Sequence, residues 1–519
     1  MYGCARAFRR MIKRKGKSMK LNYKRTILVG FAFFLISAFW QAYDAIVPLA
    51  LTNHYGLPQS ISGVVMSIDN ILAVFMLPLF GALSDKIMTK FGRRTPFIVL
   101  GTVAAVLSFV LLSVVNGVQI NKLEESGIVE NYEVAHEAYD AEVKEINEKF
   151  ENSEITAEQK KEALVKADEA FDAVKESLKE DALALTLKNI WPLIGFIGIL
   201  LIVLIAMATF RSPAVALMPD VTVKPLRSKG NAIINLMGTA GGIIVLAFSS
   251  IFGISGNPYM SYNAYVIATA IVMLVGLGIF IFTVKEKSWA EEMDATTKRL
   301  GLEEASNDVD TGSRALGKAE LKSLLLILAS VALWYIGYNS ITSKYSVYST
   351  NVLGVDYGLT LIVAQAAAIV SYIPVGIIAS KAGRRKTILV GVTMLATAFF
   401  IGNFIGAGSS NLVMYPIFAL AGIGWATINV NSFPMVVELA KGGDVGKYTG
   451  YYYTASMAAQ IVAPILSGFL YDAFGMRLMF FSFGTLFVAL SFVTMFFVKH
   501  GDAKPEVQGA LESLAGADD

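Results

Sequence analysis

Twelve apolar runs, each long enough to cross a bilayer as a helix, leave this chain few options. They fall at residues 27–51, 60–83, 96–116, 190–210, 231–254 and 262–284, then at 323–342, 358–379, 387–407, 411–437, 450–471 and 477–498. A hydrocarbon core about 30 Å thick takes roughly 20 helical residues to cross. Strands of a membrane barrel would read as alternating segments of about ten residues, and these runs are continuous. Inside lipid each segment must satisfy its own backbone groups, so helices are the economical solution. The 519 residues are 55% hydrophobic and 16% charged, which excludes an ordinary water-soluble globule. The expected fold is an all-α membrane protein with twelve transmembrane helices in two six-helix halves.

The net charge of +3 conceals an uneven distribution. Residues 117–189 carry 19 acids against 9 bases, and the rest of the chain carries 35 bases against 22 acids. With the N-terminus inside, the cytoplasmic segments hold 33 bases, whereas the short loops on the other side hold only Lys344 and Arg477. That bias sets orientation. The expected layout is a multi-pass plasma-membrane protein with a basic cytoplasmic tail at 1–25. An N-terminal half at 26–116 and 190–284 is interrupted by an extracellular acidic insert at 117–189. A cytoplasmic loop at 285–322, a C-terminal half at 323–498 and a cytoplasmic tail at 499–519 complete it. The first apolar run is too long for a secretory signal and lacks a small-x-small cleavage site, so it reads as a retained helix. Met19-Lys20 offers an alternative start, which would make residues 1–18 an extension.

The acidic insert is regular. Leu164, Ala167, Phe171, Val174 and Leu178 follow heptad spacing, as do Tyr139, Val143, Ile146 and Phe150. Thr156 to Gln159 fits a capping box. These patterns predict an external helical hairpin of two packed arms, either a solvated decoration or a dock for a cell-wall or protein partner.

Several function classes lack raw material. Cys4 is the lone cysteine and the three histidines form no cluster, so no metal site and no cofactor is expected. Gly442 to Lys447 misses phosphate-loop spacing, with Tyr448 where Ser or Thr is required. There is no plausible catalytic triad, so the chain does not read as an enzyme. Topology and anionic lipid explain the basic tail without nucleic acid.

The loop after the second run carries Gly81, Asp85, Gly92, Arg93, Arg94 and Pro96. A carboxylate at a helix end, glycines that permit close approach and clustered cations make a clasp able to hold one conformation and release in another. This stretch resembles the loop signature of the major facilitator superfamily, in the longer form of the glycoside-pentoside-hexuronide:cation symporters and the related sucrose/proton symporters. A shorter echo, Gly376 to Lys386, places Gly383, Arg384 and Arg385 in the second half, with Ser380 where the first copy has Asp85. Arg211 to Asp220, continuing through Arg227, is similar to the fourth-to-fifth-helix loop of the sucrose symporters, as Gly424 to Pro434 is to their tenth helix. Val215 stands where plant-type relatives carry an arginine, and Val74 and Leu77 stand about where sodium-coupled permeases carry aspartates. The resemblance implies two related halves, a solute site between them, and a secondary transporter that moves a sugar or glycoside in symport with a cation. The gating residues it implies are those of both loops together with Arg211, Asp220 and Arg227; Arg211 could equally be a ligand.

The residues themselves single out Asp44 and Asp69, carboxylates within hydrocarbon-length runs and functional by default. Both fall on the outer side of their span centres. Two carboxylates sharing a dry cavity do not both ionise freely, so one is expected to hold and release a proton. Asp69 is the first choice, with Asp44 as its partner or a solute ligand; the alternative is that both are structural. Trp40, Gln41 and Asp44 share a helical face suited to a sugar ring and its hydroxyls. Asn70, Asn339, Gln365, Trp425, Asn429 and Asn431 are further substrate-binding candidates, with helix-helix packing as the plainer alternative. A proton is the expected coupling ion. Left open are an uncoupled facilitator of another small solute and a transporter-like sensor or assembly protein working through its hairpin.

Overall fold

The computed structural model describes residues 21–300, 316–406, 411–439 and 445–501. The basic tail to residue 20, with Cys4 and Met19, therefore lies outside the described residues, as do 301–315 of the central loop, 440–444 and the C-terminal tail from 502. Helices account for nearly all the rest, and twelve are long and apolar enough to cross a membrane.

In the first half these are α1 (Tyr23–Leu49), α2 (Gln59–Lys86) and α3 (Thr95–Glu125). The hairpin arms α4 (Ile128–Glu151) and α5 (Ala157–Lys188) follow. The half is completed by α6 (Trp191–Val221), α7 (Arg227–Ile251) and α8 (Asn263–Thr283). A polar helix, α9 (Glu286–Leu300), leads to the second half. That half comprises α10 (Lys318–Thr342), the short α11 (Tyr345–Tyr348), α12 (Tyr357–Ala382) and α13 (Arg384–Gly402). It ends with α14 (Asn411–Val437), α15 (Val445–Phe474) and α16 (Met476–Phe496).

The halves repeat one packing scheme. The pairs α1·α7, α3·α6, α2·α6, α1·α8 and α3·α8 correspond in order to α10·α15, α13·α14, α12·α14, α10·α16 and α13·α16. Even an irregularity recurs, because α1 and α11 both run into wide π-type turns, Ala50–His54 and Ser349–Leu353. Such turns concentrate at functional sites.

The halves meet through α2 against α15 and α7 against α12. At the hairpin end of both contacts, glycines let backbones touch. A Cβ on Gly63 would strike the Pro464 carbonyl, and one on Gly358 the Leu246 carbonyl.

The hairpin is built as two arms, with differences from the heptad reading. Thr156 and Gln159 form the capping box, Thr156 N donating to Gln159 Oε1 at 2.9 Å and Gln159 N to Thr156 Oγ1 at 3.2 Å. Val174 and Phe150 point outward, however, at 39% and 38% exposure. The buried seam instead takes in Tyr132 and Asp168. Asp168 is tolerated there because Tyr139 donates to it at 2.7 Å while stacking on Phe171. A coiled-coil pattern assumes solvent beyond the seam, and here the arms also rest on the bundle, through Tyr132 on Tyr259 and through Lys175, which donates to the Asn351 carbonyl at 2.7 Å.

Candidate functional site

Between the halves lies a cavity of about 190 Å³, lined by Trp40, Tyr43 and Asp44 of α1, Met66, Asp69 and Asn70 of α2, Arg211 of α6, Asn339, Thr342 and Ser343 at the α10 end, and Gln460 and Pro464 of α15. Asp44 and Asp69 act on each other electrostatically, as do Asp69 and Arg211. The Asp69 carboxylate accepts from Asn70 N at 2.6 Å and from Asn70 Nδ2 at 2.8 Å, which fixes its orientation. Asp44 is held through its backbone, whose carbonyl accepts from Ser346 Oγ at 2.9 Å across the interface between the halves. The Arg211 guanidinium lies over the Trp40 ring, 5.6 Å from its centroid. That stacking fixes the plane of the guanidinium at the cavity wall. Asn339 donates to the Tyr335 carbonyl at 2.8 Å.

Other candidates lie beyond the cavity wall. Gln41 and Gln365 flank Gly242, where a Cβ would touch both, so they face each other at the α7–α12 junction. Trp425 stacks flat on Tyr338, with centroids 3.7 Å apart. Asn431 is buried and donates to its own helix at Thr427 O, 2.9 Å, the geometry of internal packing. Asn429 is likewise buried in α14. The cavity-lining Tyr43, Met66, Thr342, Ser343 and Pro464 carry no signal that sequence reasoning could have separated from packing.

At the end of the bundle away from the hairpin, the clasp centres on Arg94, whose side chain is 6% exposed. Its Nε donates to Asp220 Oδ2 at 2.8 Å, and its terminal nitrogens reach Asp85 and Ser84. Asp85 and Asp220, from the ends of α2 and α6, are thereby tied to the start of α3. These attractions hold the Arg94 guanidinium even more firmly protonated than usual, against the opposing effect of its burial. Beneath it sits Glu286, absent from the sequence reading. This buried carboxylate accepts from the backbone N–H groups of Arg93, Arg94 and Thr95 at 2.6 to 2.8 Å, capping α3. Gly92, at φ +120°, leaves the room that Glu286 fills. Gly81 lies close to Ser212, and Arg227 donates to the carbonyls of Thr222 and Pro219, bracing its own loop. The second half repeats the arrangement in reduced form. Gly383 turns the chain at φ +93°, Arg384 pairs with Glu438 at 2.5 Å, and Arg385 donates to carbonyls at the end of α16. Arg384 and Glu438 thus match Arg94 and Asp220, while Ser380 turns back to the Ile377 carbonyl.

A family model described as Major Facilitator Superfamily matches residues 14–121, 182–457 and 356–515. The chain belongs to the major facilitator superfamily. The stretch between the first two matched segments is the hairpin, an insertion into the superfamily framework. Solved transporters share the fold. A peptide transporter of the POT family bound to alafosfalin superposes with a TM-score of 0.58 at 10% identity, covering 91% of this chain and 93% of that one. The xylose transporter XylE from E. coli gives 0.51 at 14% identity, covering 91% and 96%. A curated relative, proton-associated sugar transporter A of Homo sapiens, is 42% identical over 57 residues, 11% of this chain and 8% of that protein; the Mus musculus protein gives the same figures.

Proposed function

We propose that this superfamily member is a secondary active transporter that moves a sugar or glycoside across the plasma membrane by alternating access, in symport with a proton, with the hairpin outside and both termini in the cytoplasm. The observation that carries this reading is the convergence of Asp44, Asp69, Arg211 and Trp40 in one cavity between the halves. Two carboxylates and one guanidinium leave the site one negative charge in excess, and a single proton neutralises it. The loaded site then crosses hydrocarbon without net charge, which is the less costly form. With Asp69 protonated, the attraction between its carboxylate and Arg211 is gone, and the guanidinium can turn donors to solute hydroxyls while the sugar face lies on Trp40. An uncharged sugar has no hold on the membrane potential, whereas a co-transported proton brings about 2.3 kcal/mol per 100 mV. The short match to a proton-associated sugar transporter and the asymmetry of lysine and arginine among the loops support the same reading.

The test is uptake of a panel of labelled sugars into proteoliposomes with and without an inward proton gradient. The gradient is expected to drive accumulation of at least one sugar, and Asp69→Asn to abolish that accumulation while leaving exchange of the bound sugar. Accumulation by Asp69→Asn equal to wild type would remove the coupling role. A wild type that moves no sugar would remove the sugar.

A further inference from the structure

Closure at the hairpin end uses a lysine for which solute coupling has no role. Lys344 lies between α10 and α11, beyond the membrane spans, and is 0% exposed. Its Nζ donates to Ser62 Oγ at 2.6 Å and to the Gln59 carbonyl at 3.3 Å, both on α2 of the opposite half. Neither acceptor carries charge. The carboxylate in electrostatic reach, Asp472 at the end of α15, spends its two oxygens on the backbone N–H groups of Gln59 and Ser60, at 2.8 Å each.

The surroundings are otherwise unfavourable to a cation. Lys179 on α5 repels it, α2 presents only neutral partners, and Tyr345 and Tyr348 of α11 are committed to aromatic packing on Phe418 and Phe480. Burial outweighs the help from Asp472 and brings the ammonium down to about 7. All of these bonds cross between the halves, as does the reciprocal pair in which Asn53 and Asn351, from the two π-type turns, donate to each other's side chains at 3.2 and 2.7 Å. Separating the halves at this end breaks them together. It also returns Lys344 to water, where a lysine titrates near roughly 10.4.

We propose that Lys344 is a proton-exchanging latch: the hairpin-end gate closes on its neutral amine, discharging one proton to solvent, and opens as the amine takes one up. The proposal rests on alternating access, but not on the identity of the solute or on the role of Asp69. Its sign follows from the direction of the shift. Above roughly pH 10.4 the amine is neutral in both states and closure is not opposed. As pH falls to about 7, each unit favours the open gate by about tenfold, and below that the amine is charged in both states and the bias stops growing. Acid on the hairpin side therefore opens the gate.

The test places spin labels across the gate in the full chain, at Ile61→Cys and Leu359→Cys in a Cys4→Ser background, and reads the two distance populations from pH 6 to 9.5. The closed-to-open ratio is expected to rise about fiftyfold between pH 7 and 9 and to stay flat in Lys344→Met. Lys344→Arg, charged throughout, is expected to hold the gate open at every pH. A wild type with two populations and no pH response would overturn the latch, as would a response that survives in Lys344→Met. A single distance under all conditions, with or without solute, would instead overturn alternating access, and the latch with it.

Discussion

Arg211 is the residue at which the hydropathy pattern and the structure part most clearly. The apolar run ends at residue 210, and the Pro213, Pro219 and Asp220 that follow look like a loop. The helix nevertheless continues to Val221, because each proline gives up one backbone bond without ending the coil. Ten further residues add about 15 Å, so Arg211 sits well within the helix and faces the cavity rather than a loop. Replacing it with lysine keeps the charge but loses the planar fork and the stacking on Trp40. Charge-assisted hydrogen bonds contribute about 1.5–3 kcal/mol, so Arg211→Lys is expected to lower initial uptake by about 10- to 150-fold with no change in melting temperature. Uptake within twofold of wild type would take Arg211 out of the site. Glu286 escapes the sequence pattern for the opposite reason: an acid between Lys285 and Lys287 at the end of a span looks like a solvated charge. Its bonds to the start of α3 predict that Glu286→Ala costs about 2–3 kcal/mol, measurable as a lowered thermal midpoint in detergent, with Glu286→Gln in between.

Among the elements, the hairpin shows what periodicity captures and what it does not. The two arms and the capping box are local features, so spacing alone reveals them. Docking is not local. Lys175 on the Asn351 carbonyl and Arg477 at 3.9 Å from Asp168 join the hairpin to the second half, while Tyr132 on Tyr259 and Gln119, donating to Thr186 at 2.9 Å, join it to the first. Bridging both halves at their closed end, the hairpin favours closure. The Gln119–Thr186 bond brings the roots of the insert together, so a short Gly/Ser linker can replace residues 122–182. That excision is expected to leave transport measurable and to raise the open-gate population about tenfold, the equivalent of one charge-assisted bond of about 1.5 kcal/mol, read by the same label pair. Loss of all flux with the bundle still folded would assign the hairpin a direct part in transport. Orientation is a separate question. In intact cells a membrane-impermeant thiol reagent is expected to label Val134→Cys on the hairpin and to spare Phe91→Cys in the opposite loop, positions 63% and 62% exposed.

At the scale of the molecule, the twelve spans and the two-half division were legible because hydrocarbon imposes a length and a composition on every segment. The pairing of α2 with α15 and of α7 with α12 was not, since lipid is as apolar as a helix partner and hydropathy cannot tell the two apart. What marks these interfaces is small residues, and only the structure shows which glycines serve them. Gly402 rests on the Phe481 ring within one half, whereas Gly63 meets the Pro464 carbonyl of the other half. A single ring can shift within its own half, but a helix backbone yields only by moving the helix. A larger side chain at Gly63 is therefore expected to act on the equilibrium between the halves more than on the stability of either. Gly63→Leu should hold the hairpin end open, so that the Ile61→Cys and Leu359→Cys labels report the longer distance at every pH. Solute binding from the hairpin side should persist while net transport falls to background. Because Gly63→Ala adds a single carbon, a small separation of α2 from α15 accommodates it, and it should give an intermediate population. A Gly63→Leu protein that still closes would show that the α2–α15 contact is not what sets closure, leaving the α7–α12 contact at Gly358 as the controlling one.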